Sequence, residues 1–166
     1  MKIGIIGSGI VGQTLANGFL KHKYEVMIGT RNPSQLREWK EKSSYSGKIG
    51  SFESTAQFGE ILVLAIKGTV AIEVLSSISI NYLNKKIVID ATNPIADKPP
   101  VNGVLQFFTT LDNSLMEQLQ KRFPQIFFVK AFNSIGNSYM VNPDFGGIKP
   151  AMFICGNDSN AKENFA

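Results

Sequence analysis

Gly7-Ser8-Gly9-Ile10-Val11-Gly12 follows the short apolar run Lys2–Ile6 (KIGII) and opens an apolar-periodic stretch reaching about Lys21. A lone G-x-G-x-x-G match says little in a chain with 15 glycines. Its place between a strand and a helix says more, because a dinucleotide-binding βαβ unit needs that order. Gly7 permits the tight turn, Gly9 close approach of a pyrophosphate, and Gly12 tight packing of helix on strand. The helix start then offers unpaired N–H groups and the positive end of its dipole to the diphosphate. The bland alternative is a glycine-rich turn that binds nothing.

Which dinucleotide depends on the end of the second strand, expected over 24–28 (YEVMI). An NAD site carries Asp or Glu there, to hold the ribose 2′-hydroxyl. Glu25 lies at the strand's start, and Gly29-Thr30-Arg31-Asn32-Pro33-Ser34 contains no acid. Arg31 offers a planar fork of donors to a 2′-phosphate. Thr30, Asn32 and Ser34 add hydroxyl or amide donors, and Pro33 suits the first turn of a helix. NADP is therefore expected in place of NAD, with a solvated Arg31 as the alternative.

Apolar runs and helix-like stretches alternate along most of the chain. Helix is expected over 33–42, a short strand over 48–52 and a helical turn over 54–58. The most apolar strand, 61–66 (ILVLAI), belongs at the sheet centre, where both faces are covered. Helix over 69–77, strand over 86–91 (KIVIDA), helix over 111–123 and strands over 126–131 (IFFVKA) and 151–155 (AMFIC) follow. This alternation predicts a single α/β domain over 1–166, Rossmann-like and doubly wound. Its sheet is mainly parallel, with helices on both faces. Two Pro- and Gly-bearing segments, 93–110 and 133–149, follow strand ends and are candidate site loops. Residues 156–159 resemble a helix N-cap, and 160–166 begin a helix of under two turns. A truncated or disordered C-terminal end is expected from this.

Composition removes other classes. The chain is 43% hydrophobic and 18% charged, with no apolar run near the ~20 residues of a membrane-spanning helix. Glycines interrupt the apolar N-terminus, so a signal peptide is not expected. Cys155 is the single cysteine, which excludes an internal disulfide and suits a reducing, cytoplasmic setting. Its place in an apolar run predicts a buried, inert thiol. The only histidine, His22, sits beside Lys21 and Lys23 at an expected solvated helix end, and one Cys with one His cannot make a usual zinc site. The net charge is +4, but the 17 basic residues are spread out, and the densest cluster alternates with Glu38 and Glu41. A small-molecule partner is expected, and neither nucleic acid nor membrane.

In this fold the later strand ends flank the ribose and nicotinamide. That makes Ala65, Ile66 and Lys67 lining candidates, together with Asp90-Ala91-Thr92-Asn93-Pro94 and Lys130-Ala131-Phe132-Asn133-Ser134. Lys67 can meet a phosphate, an anionic substrate or only water. Asn93 can bond a ribose or carboxamide or merely make a turn, and Asp90 suits organising that turn more than acid catalysis. No Ser/His/Asp set or carboxylate pair emerges, and only Lys67, Lys130 or a tyrosine such as Tyr139 could move a proton. Hydride passing directly between two ring cofactors needs positioning and little proton machinery.

KIGIIGSGIVGQTLA, GTRNP, DATNPI and VKAFNSIG together resemble the NADP-dependent oxidoreductases of the coenzyme F420-dependent type. The reductase domains of the six-transmembrane epithelial antigen of prostate metalloreductases are similar. The resemblance spans about residues 1–158. It implies a Rossmann domain exchanging hydride between NADP(H) and a flavin or coenzyme F420 as co-substrate. It further implies that Thr30, Arg31 and Asn32 hold the 2′-phosphate and that Ser8, Gly9, Ile10, Val11 and Gly12 hold the diphosphate. Asn93 and Asn133 would lie near the ring-stacking site. The C-terminal segment that normally completes such domains, and often a homodimer, is not matched. Two alternatives stay open: an NADPH-dependent carbonyl or imine reductase without its C-terminal domain, and a non-catalytic NADP-sensing module.

Overall fold

The computed structural model describes residues 1–42, 47–148 and 150–165. Six strands, β1 (Lys2–Ile6), β2 (Glu25–Gly29), β3 (Lys48–Gly50), β4 (Ile61–Leu64), β5 (Ile87–Asp90) and β6 (Phe127–Lys130), form one sheet in the order β3-β2-β1-β4-β5-β6. Every pairing is parallel, as expected of the doubly wound Rossmann-like class. The order reverses between β1 and β4, and that point opens a crevice at the strands' carboxyl ends.

Alternation along each strand explains why both faces are covered. Ile3, Ile5, Val63 and Ile89 pack with Leu15, Ala16 and Leu20 of α1 (Ile10–Lys21) and with Trp39 of α2 (Arg37–Lys42). Ile6, Leu62, Leu64, Val88 and Phe128 pack on the other face. There they meet Ala56 of α3 (Phe52–Phe58), Val74 and Leu75 of α4 (Ala71–Ser76), and Leu115 and Leu119 of α5 (Leu115–Arg122). Strands buried on both faces have to be apolar throughout, which is why 61–64 reads ILVL.

Several boundaries differ from expectation for local reasons. The helix expected over 111–123 starts at Leu115, because Ser114 and Glu117 form a capping box. The S-x-x-E signal for that start is in the sequence. Strand β4 ends at Leu64, which releases 65–67 into the crevice. The helix expected over 69–77 divides into a 3₁₀ turn, Gly68–Val70, and α4. Pro33 likewise opens a 3₁₀ turn, Pro33–Leu36, before α2. His22 caps the exposed end of α1, with its Nε2 3.3 Å from Asn142 Oδ1.

The strand expected over 151–155 is a correction. That segment pairs at one position only, an antiparallel bridge between Cys155 and Lys130 beside the outer strand β6. Among the described residues no layer covers its outer side: Phe153 is 80% exposed, and the Cys155 thiol is exposed instead of buried. The last helix is α6 (Ser159–Phe165), capped by Asp158, whose Oδ1 accepts from Ala161 N at 2.7 Å. Lys149 in the second expected loop and Ala166 at the end lie outside the described residues. Among the described residues, no helix is long and apolar enough to cross a membrane.

Burial separates two apolar runs that look alike in sequence. Leu62→Ala in the sheet centre should cost about 2–5 kcal/mol in urea unfolding. Phe153→Ala should stay within about 0.5 kcal/mol of the parent protein.

Candidate functional site

The crevice at the β1/β4 reversal is a cleft of about 690 Å³. Its floor is the turn between β1 and α1. Gly7 has φ +127°, a conformation that side chains rarely adopt, and its N–H donates to Gly29 O at 3.0 Å. A Cβ at Gly12 would stand 2.2 Å from Gly7 O, so the helix start rests directly on the turn. A Cβ at Gly9 would meet nothing within 4 Å. Helix α1 has no side-chain cap and no acid in its first turn. Its first N–H groups are therefore left for an anion. Gln13 Nε2 donates to Ser8 O at 2.8 Å and ties the turn to the helix.

The β2 side is held by hydroxyls and amides. Thr30 is buried, its N–H donates to Gly50 O at 3.0 Å, and its Oγ1 lies 2.9 Å from Ser8 Oγ. Thr30 Oγ1 also accepts from Asn32 N at 3.1 Å. Asn32 Oδ1 accepts from Ser34 N at 3.2 Å and from Ser34 Oγ at 2.6 Å, capping the Pro33–Leu36 turn. Arg31 lines the cleft, is exposed, and among the described residues pairs with no carboxylate. Its donors remain available, and no acid stands at the end of β2.

Ala65, Ile66 and Lys67 form the wall that follows β4, and Ala91 follows β5. Ala65 N donates to Ile6 O at 2.9 Å, which fixes that wall to the end of β1. The Lys67 ammonium lies 2.7 Å from Asp97 Oδ1, and both groups are exposed. Its hydrogen bond and positive charge hold the Asp97 carboxyl below the usual carboxylate range. Lys67 thus bridges the cleft rim to the 93–110 loop instead of standing unpaired.

Gly7 through Val11, Thr30, Arg31, Asn32 and 65–67 come together in one cleft. Gly12 lies under the turn, and Ser34 spends its hydroxyl on Asn32, so neither lines the cleft. Asn93 and Asn133 are not part of its lining but follow its wall at Ala91, joined by Asn93 Nδ2 donating to Asn133 O at 2.9 Å. Gln35, Phe52, Val70 and Val74 complete the lining and were not anticipated. Phe52 opens α3 and Val70 precedes α4, so the convergence of helix starts on the crevice was the usable signal.

Two of the sequence's proton-transfer candidates lie outside the cleft lining. Lys130 Nζ is 2.9 Å from Asp90 Oδ2, in a pair whose carboxylate is fully buried. Tyr139 stacks on Phe145 with centroids 5.1 Å apart and an interplanar angle of 23°. Those two rings, with Ile135, Met140, Pro143 and Met152, line a second cavity of about 710 Å³.

The family model for NADP oxidoreductase, coenzyme F420-dependent, matches residues 2–94, from β1 through the turn after β5. The chain is similar to a candidate F420-dependent NADP-reductase from Arthrobacter sp. FB24, at 31% identity and TM-score 0.88. That match covers 99% of this chain and 77% of the other. A hypothetical protein from Sinorhizobium meliloti is 25% identical, with TM-score 0.80, covering 100% of this chain and 78% of that one. An imine reductase from Pseudomonas sp. shares the fold, at 18% identity and TM-score 0.71, over 98% of this chain and 49% of that one.

The two glycines of the turn should respond oppositely to a methyl group. Gly12→Ala forces the Gly7 carbonyl to move and should lower stability by about 1–3 kcal/mol. Gly9→Ala, with φ −72° and open space around it, should leave thermal unfolding unchanged within about 0.5 kcal/mol.

Proposed function

The chain belongs to the coenzyme F420-dependent family of NADP oxidoreductases, and from that premise we propose that it moves hydride between NADP(H) and a flavin-like or deazaflavin ring. The carrying observation is one cleft joining an uncapped helix start to a Thr30-Arg31-Asn32 turn without an acid. The donor set fits an NADP molecule at both of its anionic groups, the central diphosphate and the 2′-phosphate. Backbone N–H groups of the Ser8–Gly12 turn receive the diphosphate, and the open space at Gly9 admits it. Arg31 forks onto the 2′-phosphate, with Thr30 and Asn32 as shorter donors. Ser34 acts through Asn32, which it holds in place.

The walls at 65–67 and at Ala91 lead toward the reacting end. When bound, the nicotinamide ring supplies a hydride at C4. Ile66 and Ala91 exclude water there, and Asn93, fixed by its bond to Asn133 O, presents its carboxamide oxygen as an acceptor. Lys67 exchanges Asp97 for a cofactor phosphate or an anionic group of the acceptor.

Three features favour a ring acceptor over a small carbonyl. Lys130 is locked into the Asp90 pair, which removes it as a free proton donor at that end. The chain beyond Asn133 builds an apolar cavity with stacked aromatic rings, suited to a flat heterocycle. A ring acceptor keeps the hydride and draws its proton from water, which leaves the protein the task of positioning two rings.

Mixing the protein with NADPH and FMN, FAD or coenzyme F420 and following NADPH absorbance tests this. Oxidation is expected with a flavin-type acceptor. Oxidation by cyclic imines alone would replace the reading with an imine reductase, and tight binding with no oxidant accepted would replace it with a sensor. Separately, Arg31→Ala should weaken NADPH about tenfold or more while NADH changes less than about twofold, measured by titration calorimetry. Equal losses for both would remove the 2′-phosphate from Arg31.

A further inference from the structure

Asp90 and Lys130 are partners in register at the carboxyl ends of β5 and β6. The Asp90 side chain is fully buried and that of Lys130 is 13% exposed. Asp90 Oδ1 accepts from Thr92 N at 2.9 Å and from Thr92 Oγ1 at 2.6 Å, while Oδ2 accepts from Lys130 Nζ at 2.9 Å. Lys130 Nζ also donates to Thr92 O. One carboxylate and one ammonium thus hold the whole Asp90–Thr92 turn, whose middle residue, Ala91, lines the cofactor cleft.

The restraint continues outward. Asn93 follows Thr92, and its amide crosses to Asn133 O, so the two strand ends are joined twice. Asn93 Oδ1 takes part in no hydrogen bond among the described residues. The chain between these links passes through Phe132 at φ +64°, a conformation that must be imposed on a bulky residue. On the other side, Asn93 O lies 2.3 Å from where a Cβ on Gly68 would stand, so the turn abuts the wall that follows β4. A buried ion pair adds little net stability over well-packed apolar residues. What it supplies here is direction, through bonds that fix one turn against two strands.

We propose that Asp90, Thr92 and Lys130 are positioning residues that set the nicotinamide end of the cleft by fixing Ala91 and the unbonded carboxamide oxygen of Asn93. This rests on the reading that 65–67, Ala91 and Asn93 face the nicotinamide. The adenosine end, held by Arg31 and the glycine turn, is built from other elements and does not depend on the pair. Loss of the pair should separate the two halves of the cofactor.

The test compares two ligands and three variants of the whole chain. Adenosine 2′,5′-bisphosphate reports the phosphate end, and the fluorescence of bound NADPH reports the nicotinamide end. Lys130→Met should keep adenosine 2′,5′-bisphosphate within about twofold, weaken NADPH about tenfold and abolish its fluorescence enhancement. The double variant Asp90→Asn with Lys130→Met removes the unpaired buried charge that the single one leaves. It should recover thermal stability without recovering the enhancement. Lys86→Met is the structural control, because Lys86 bonds Ala56 O and Gly59 O at the opposite end of the sheet. It should lower stability and leave the fluorescence as in the parent. An unchanged nicotinamide signal in both Lys130 variants, or parallel loss of both ligands, would overturn the positioning role alone. Failure of the unaltered protein to bind either ligand would instead overturn the cofactor reading and this inference with it.

Discussion

The contact between Gly12 and the carbonyl of Gly7 governs the rest of the site. A side chain at Gly12 would stand 2.2 Å from that oxygen, so only its absence lets α1 start directly above the end of β1. The consequence is electrostatic as well as steric. A helix seated there, with no acid and no side-chain cap at its first turn, places its unpaired N–H groups over the crevice. The Ser8–Thr30 and Gln13–Ser8 bonds then tie that turn to β2 and to the helix itself.

The sheet and the site obey opposite rules a few residues apart. Within the sheet nearly every side chain is apolar, because helices cover both faces and no water reaches a polar group. At the carboxyl ends buried polar groups return in bonded form, as Thr30, Thr92 and the Asp90–Lys130 pair show. A buried polar group left unbonded would be costly, so each of these has a defined partner and hence a defined direction. Directed bonds are what a cofactor site needs on a rigid scaffold.

The two rims differ in how firmly they are held. The β5–β6 ends are locked by buried bonds, whereas Lys67 and Asp97 meet at the surface, in a pair screened by solvent. The exposed pair can therefore be exchanged for another anion at little expense, while the buried one cannot.

The sequence by itself determined the β1–turn–α1 unit, the absence of an acid after β2 and the six strands of the sheet, to which it added a seventh over 151–155 that the fold does not form. Each of those is written in short-range pattern: a turn that only glycine tolerates, a period of two or 3.6, a proline at a first turn. Tertiary structure alone decided which of the expected residues meet. Ser34 shares a turn with Arg31, yet it faces Asn32 instead of the cleft, and Gln35 and Phe52 arrive there from other elements. Asp90 and Lys130 are 40 residues apart, and Lys67 and Asp97 are 30 apart, separations over which local pattern carries no signal. The run 151–155 is as apolar as a buried strand, and its cysteine was expected inside. It lies exposed because burial depends on what covers a segment, and beyond β6 none of the described residues does.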